Sequence, residues 1–127
     1  LVPDFEFTLK SIPLKMQFNE DTLVVSAGKT VSIVFENPDF MQHNLLIVAP
    51  GKLEIVGQAA DALMSAPDAA QKNYVPQIPE VLFATRILNP NERVRLTFKA
   101  PSRPGAYPFV CTFPGHWRIM NGILIVK

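Results

Sequence analysis

The amino-acid sequence predicts an all-β protein, a Greek-key β-sandwich with one short helical insertion. Three observations lead there. Apolar and polar residues alternate with period two along much of the chain, Gly, Pro and Asn punctuate it at short intervals, and a single stretch repeats its apolar residues at helical spacing.

Phe5, Phe7 and Leu9 alternate with Glu6, Thr8 and Lys10, so the first strand has one apolar and one polar face. Residues 14–18 and 22–26 are further strand candidates. Ala27-Gly28-Lys29 then turns the chain at hairpin-like spacing into Val31, Ile33 and Phe35, which alternate with Ser32, Val34 and Glu36. An apolar strand is expected over 43–49, opening on His43. Leu53, Val56, Ala60, Leu63 and Met64 recur at helical spacing in an Ala-rich stretch, which predicts a helix over 52–65 with Pro67 beyond its end. Residues 66–80, with Pro67, Pro76 and Pro79, read as an extended surface loop, Tyr74 included. A strand follows over 84–88, and Asn89-Pro90-Asn91 turns the chain at the same hairpin-like spacing before Val94, Leu96 and Phe98 alternate with Arg93, Arg95, Thr97 and Lys99. Pro101, Pro104 and Gly105 break the chain before strands at 106–111 and 122–127, both apolar on either side and so expected to have little exposed surface.

With 127 residues, 48% of them apolar, the chain suits one domain over 1–127 with its own core. Its formal charge of +1 is spread over scattered side chains, which argues against a nucleic-acid surface. One cysteine precludes an internal disulfide. No run of about eighteen or more apolar residues is available to span a membrane. The start at Leu-Val-Pro-Asp, without initiator methionine or leader, is expected of a processed mature protein or of a piece of a longer one.

The chemistry is concentrated in Tyr107-Pro-Phe-Val-Cys111-Thr-Phe-Pro-Gly-His116-Trp-Arg-Ile-Met120. A thiol, an imidazole and a thioether follow one another as Cys-x4-His-x3-Met between two strands, so one loop holds all three. Singly, a lone cysteine or methionine is more often a packed core residue. Together they match the donor set of an electron-transfer copper site, in which two His and one Cys bind in a trigonal set with a weak axial Met. The second imidazole must come from His43, the one other histidine, at the start of the 43–49 strand. The expected ligands of one copper ion of type 1 are therefore His43, Cys111, His116 and Met120. Around them Gln42, Asn44, Thr112 and Phe113 are expected to form the surroundings, with Asn44 tying its strand to the Cys111 loop and Phe109, Phe113 and Ile119 excluding water.

The 107–120 stretch, with His43-Asn44 ahead of a strand and a helical insertion after it, closely resembles azurins and auracyanins, the small blue copper proteins of the cupredoxin family. The resemblance covers most of the chain and implies a cupredoxin-like sandwich, the same ligand set, a monomer, a periplasmic or other extracytoplasmic location, free or tethered through a segment outside this chain, and an exit for electrons at His116. Met41, Pro114, Trp117 and Met64 would then surround His116 as an apolar docking patch for transient redox donors and acceptors, with Arg118 steering an acidic partner. Three features depart from the azurin pattern. Gln42 stands where azurins have a glycine whose carbonyl lies near the copper, so Gln42 is placed beside the ligands and not among them. Leu45 replaces an aromatic residue, and the azurin disulfide is impossible here.

The function expected is one-electron transfer by a Cu(II)/Cu(I) centre, without enzymatic activity of its own, since no histidines remain for further copper and no ligand position for a substrate. The alternatives are an electron-relay domain of a larger secreted or membrane-tethered redox enzyme and, ranked lower, a copper storage or delivery module. A Cys/His thiol hydrolase lacks an orienting third group, and a metal-free adhesive sandwich leaves the ordered donor set unexplained.

Overall fold

The computed structural model describes residues 2–127. It has nine strands: β1 Phe5–Ile12, β2 Gln17–Phe18, β3 Thr22–Val25, β4 Thr30–Glu36, β5 Leu46–Val48, β6 Val81–Ala84, β7 Arg93–Lys99, β8 Gly105–Val110 and β9 Asn121–Val126. One helix, α1, spans Leu53–Leu63 between β5 and β6, and a single 3-10 turn, Ala70–Lys72, follows it. The strands form a four-stranded sheet, β2-β1-β4-β7, and a five-stranded sheet, β3-β9-β8-β5-β6.

Two parallel pairings show the Greek-key crossings. β1 lies parallel to β4 with Phe5 opposite Val31 and Leu9 opposite Phe35, and β3 lies parallel to β9 with Leu23 opposite Leu124. Both turns that read as hairpins instead carry the chain from one sheet to the other. Ala27-Gly28-Lys29 leads from β3 into β4, and Asn89-Pro90-Asn91 leads toward β7 in the four-stranded sheet. A short turn between alternating strands looks the same in sequence whether the second strand pairs with the first or faces it across a core.

The alternating strands put Leu9, Val31, Ile33, Phe35 and Phe98 inward from one sheet and Leu23, Val25, Ile47, Phe109 and Leu124 inward from the other. Tyr107 donates its hydroxyl to the Arg103 carbonyl (2.6 Å), which anchors the start of β8. A second, smaller core lies between the five-stranded sheet and the α1 segment, built from Leu46, Val48, Val56, Val75, Val110 and Trp117. β5 and β8 therefore have apolar neighbours on both faces, which accounts for the two-sided apolar character of β8.

Several boundaries differ from the sequence expectation. Of residues 14–18, only Gln17 and Phe18 pair with β1, because Leu14 (φ 70°) and Met16 (φ 48°) adopt left-handed backbone in a turn. The 43–49 strand is regular only over Leu46–Val48, and the expected 84–88 strand is displaced to Val81–Ala84. Residues 85–88 nevertheless stay alongside 43–45. Thr85 N–H bonds the Leu45 carbonyl (2.9 Å), and Leu88 and His43 exchange both backbone hydrogen bonds, at 2.7 and 3.2 Å. That isolated bridge fixes the backbone of His43 at the end of the sandwich.

Candidate metal centre

His43 enters from the irregular stretch before β5, and Cys111 from the end of β8. His116 and Met120 come from the loop between β8 and β9. The loop is closed by its own backbone. Cys111 N–H bonds the Met120 carbonyl (3.0 Å), Met120 N–H bonds the His116 carbonyl (2.8 Å), and His116 N–H bonds the Phe113 carbonyl (3.0 Å). Gly115 supplies the left-handed residue (φ 85°) that lets the chain double back after Pro114.

The fold brings three of the expected donors, His43, Cys111 and His116, together. Cys111 Sγ lies 3.8 Å from His43 Nδ1 and 3.7 Å from His116 Nδ1, and the three donor atoms all fall within 4.8 Å of one another. Bonds of about 2.3 Å to a thiolate and about 2.0 Å to an imidazole, opened to about 120°, separate sulfur from nitrogen by about 3.7 Å. The spacing thus fits a metal ion among the three atoms. Cys111, His43 and Met120 are fully buried, and His116 is 3% exposed. A nearly dry cluster of one thiol and two imidazoles, with Met120 buried on the same loop, has the soft character that suits copper.

Burial sets the protonation of the metal-free cluster. It pushes the Cys111 thiol up to about 12, against smaller opposing effects of hydrogen bonds with Asn44 and Phe113. It holds His116 down at about 4, aided by repulsion from His43. Burial also lowers His43, and this outweighs the neighbouring Asp39 carboxylate. Both rings are therefore neutral near pH 7, the form in which imidazole binds a metal.

The four residues expected around the donors make the following contacts. Asn44 is fully buried. Its Oδ1 accepts the Thr112 N–H (2.8 Å), and its Nδ2 donates to Thr112 Oγ1 (3.0 Å) and to the Asn73 carbonyl (2.9 Å). The Thr112 hydroxyl donates to the Tyr74 carbonyl (2.8 Å). Phe113 covers the site with its ring 5.0 Å from that of His116 and 5.2 Å from that of Tyr74. Gln42 is half-buried and directs its side-chain amide to Asn89 Oδ1 (2.7 Å).

Two expectations about the surface are corrected. Trp117 is largely buried against α1, where its indole N–H donates to Asp61 Oδ1 (3.1 Å) and its ring lies on Gly57, so it offers a partner little surface. Ile119 is exposed and seals nothing, while Phe109 is fully buried. Arg118 is exposed, stacks 4.3 Å over the Trp117 ring and lies 3.6 Å from Asp61 Oδ2, so its charge is partly met within the chain. Met41 and Pro114 are half-buried, and Met64 is exposed at the end of α1. The large apolar side chains that do face solvent near this end include Phe40, which follows the buried Asp39, and Ile119 on the ligand loop.

Three residues beside the site were not legible as such in the sequence. Asp39 Oδ2 lies 2.8 Å from His43 Nε2, within hydrogen-bonding distance, and the spacing Asp-x3-His was the one available signal. Asn73 and Tyr74, from the proline-rich loop, adopt left-handed backbone (φ 59° and 57°), and their carbonyls receive the bonds from Asn44 and Thr112. Nothing local marks that loop as a brace, because its partners lie far away in sequence.

Comparison with known proteins agrees with this geometry. The model for copper-binding proteins of the plastocyanin/azurin family matches residues 6–127. Auracyanin-A of Chloroflexus aurantiacus is 39% identical over 115 residues, covering 89% of this chain and 68% of the relative. Auracyanin-B of the same organism is 32% identical, covering 93% of this chain, which spans only 50% of that relative's length. Among solved structures, auracyanin A, described as a "blue" copper protein, superposes with a TM-score of 0.85 at 37% identity, covering 96% of this chain and 98% of that one.

Proposed function

Because the chain belongs to the plastocyanin/azurin family of copper-binding proteins, we propose that it is a one-electron carrier whose copper is held by His43, Cys111, His116 and Met120. Copper is the cofactor of this family, and His43, Cys111 and His116 form a candidate type 1 site. When bound, the metal supplies a Cu(II)/Cu(I) couple. The observation that carries this reading is the buried trio of donor atoms, with sulfur 3.8 and 3.7 Å from the two Nδ1 atoms.

The protein's contribution is rigidity and dryness. The His43–Leu88 bridge, the Asn44–Thr112 bonds and the closed Cys111–Met120 loop hold the donors before any metal arrives. Donors that do not move between oxidation states leave little reorganisation to oppose electron transfer. His116 has the small exposed edge of the cluster, so electrons enter and leave there. Phe40, Met41, Pro114 and Ile119 provide the apolar rim for a transient redox donor or acceptor, and Arg118 stands at its side. Such a rim suits brief association of a monomeric carrier. A copper-delivery role is less well supported, since a buried thiolate does not release metal readily. Among the described residues no helix is long and apolar enough to cross a membrane, and we place the protein outside the cytoplasm, free or tethered.

One observation favours a second arrangement of the same function. The chain spans half of auracyanin-B's length, so this domain also fits within a longer electron-transfer protein. The complete reading frame separates the two.

Titration of the metal-free protein with Cu(II) tests the assignment. One equivalent should produce an intense visible thiolate-to-copper charge-transfer band, and Cys111→Ser should abolish it. A colourless copper adduct of the unaltered protein rejects the reading.

A further inference from the structure

Asp39 is a buried carboxylate, 1% exposed, and it faces three donors. Its Oδ2 lies 2.8 Å from His43 Nε2, and its Oδ1 accepts the backbone N–H groups of Leu14 (3.1 Å) and Phe40 (2.8 Å). Neither Lys nor Arg pairs with it among the described residues, and its one charge partner is the His43 ring. An ionised carboxylate only accepts hydrogen bonds. The Nε2 atom must therefore carry the ring proton, which leaves a lone pair on Nδ1, the atom facing Cys111 Sγ.

Resting on the copper-carrier reading above, we propose that Asp39 is the positioning residue of the centre: it selects the Nε2–H tautomer of His43, aims Nδ1 at the metal position and favours the more highly charged oxidation state of copper. Two physical effects combine. A carboxylate on the far side of a ligating imidazole fixes its orientation and increases its basicity. A buried negative charge without a cationic partner also interacts more strongly with a doubly than a singly charged ion, in a medium that screens it poorly. Asp39 therefore strengthens Cu(II) binding and lowers the reduction potential.

Asp39→Asn separates this role from support of the loop. The amide oxygen can go on accepting from Leu14 and Phe40, while its NH2 group then opposes Nε2–H and drives the His43 proton toward Nδ1. The expected result is an unfolding midpoint of the metal-free variant close to that of the parent, a 10–100-fold loss of Cu(II) affinity in chelator competition, and a reduction potential shifted upward. Nitrogen NMR of the unaltered metal-free protein gives a reading independent of how the variant folds, and should show His43 protonated at Nε2. Protonation at Nδ1 overturns the proposal. So does an Asp39→Asn protein with unchanged affinity and potential, or one whose affinity falls only in step with its stability while the potential stays put. If the unaltered protein itself forms no blue centre, the functional reading fails first, and the two failures are thereby distinguished.

Discussion

Cys111 has opposite properties with and without metal. In the metal-free protein burial keeps the thiol protonated, with its pKa pushed up to about 12, and the side chain is fully enclosed. A thiol in that state is a poor nucleophile. Native metal-free protein should therefore react with a thiol reagent far more slowly than the same protein in denaturant, measured by labelling kinetics. Comparable rates would show that the loop opens readily. Asn44 is the other decisive residue. Replacing it by Ala removes the acceptor of the Thr112 N–H, which is buried, and the donor to the Asn73 carbonyl, which is half-buried. Lost hydrogen bonds with stranded partners cost about 2–4 kcal/mol together. The Asn44→Ala protein should show that loss in urea unfolding of the metal-free form, together with a broadened visible band once copper is added.

At the scale of elements, α1 is more than an insertion between strands. It covers the outer face of β5 and β8 and holds the ligand loop through Trp117, which bonds Asp61 and lies flat against Gly57. A methyl group at Gly57 would come within 2.1 Å of the indole, so the ring fits only because that position has no side chain. Gly57→Ala raises helix propensity by about 1 kcal/mol. The overlap with Trp117 should outweigh that gain and destabilise the protein by about 1–3 kcal/mol. Chemical unfolding and the Trp117 fluorescence spectrum check this, and a more stable Gly57→Ala protein would show that the helix does not clamp the loop. The same packing explains why Trp117 was misplaced by sequence. A large aromatic next to a ligand looks like a surface docking group unless its partner helix is known.

For the whole molecule, the cluster at one pole of the sandwich links stability to pH. His116, ordinarily at 6.5, is held at about 4, mainly by burial and also by the neighbouring His43. Between these values the unfolded chain binds more protons than the folded one, so stability is complete above pH 6.5 and is lost as pH falls toward 4. His43, lowered chiefly by burial, acts in the same direction. Cys111 limits the other side. With the thiol moved from 9.0 to about 12, stability is complete below pH 9 and declines as pH rises above it. Thermal unfolding of the metal-free protein across pH 4–11 should show a plateau between these limits, and a midpoint that does not fall below pH 6 would contradict the burial of the two rings.

The sequence by itself determined the fold class and the identity of the expected donors. Period-two alternation depends only on which side chains avoid water, and a thiol, two imidazoles and a thioether are what they are wherever the chain places them. It also pointed to Asn44 and Thr112, because each directly follows an expected ligand in the chain. Only the tertiary structure decided which turns cross between sheets, since the residues that permit a tight turn do not specify the strand's partner. The same holds for the burial of Trp117 under α1, the brace from Asn73 and Tyr74, and the carboxylate of Asp39 behind His43. Each of these depends on side chains meeting across the packed interior, and the physical interactions responsible exist only once distant segments have been brought within a few ångströms of one another.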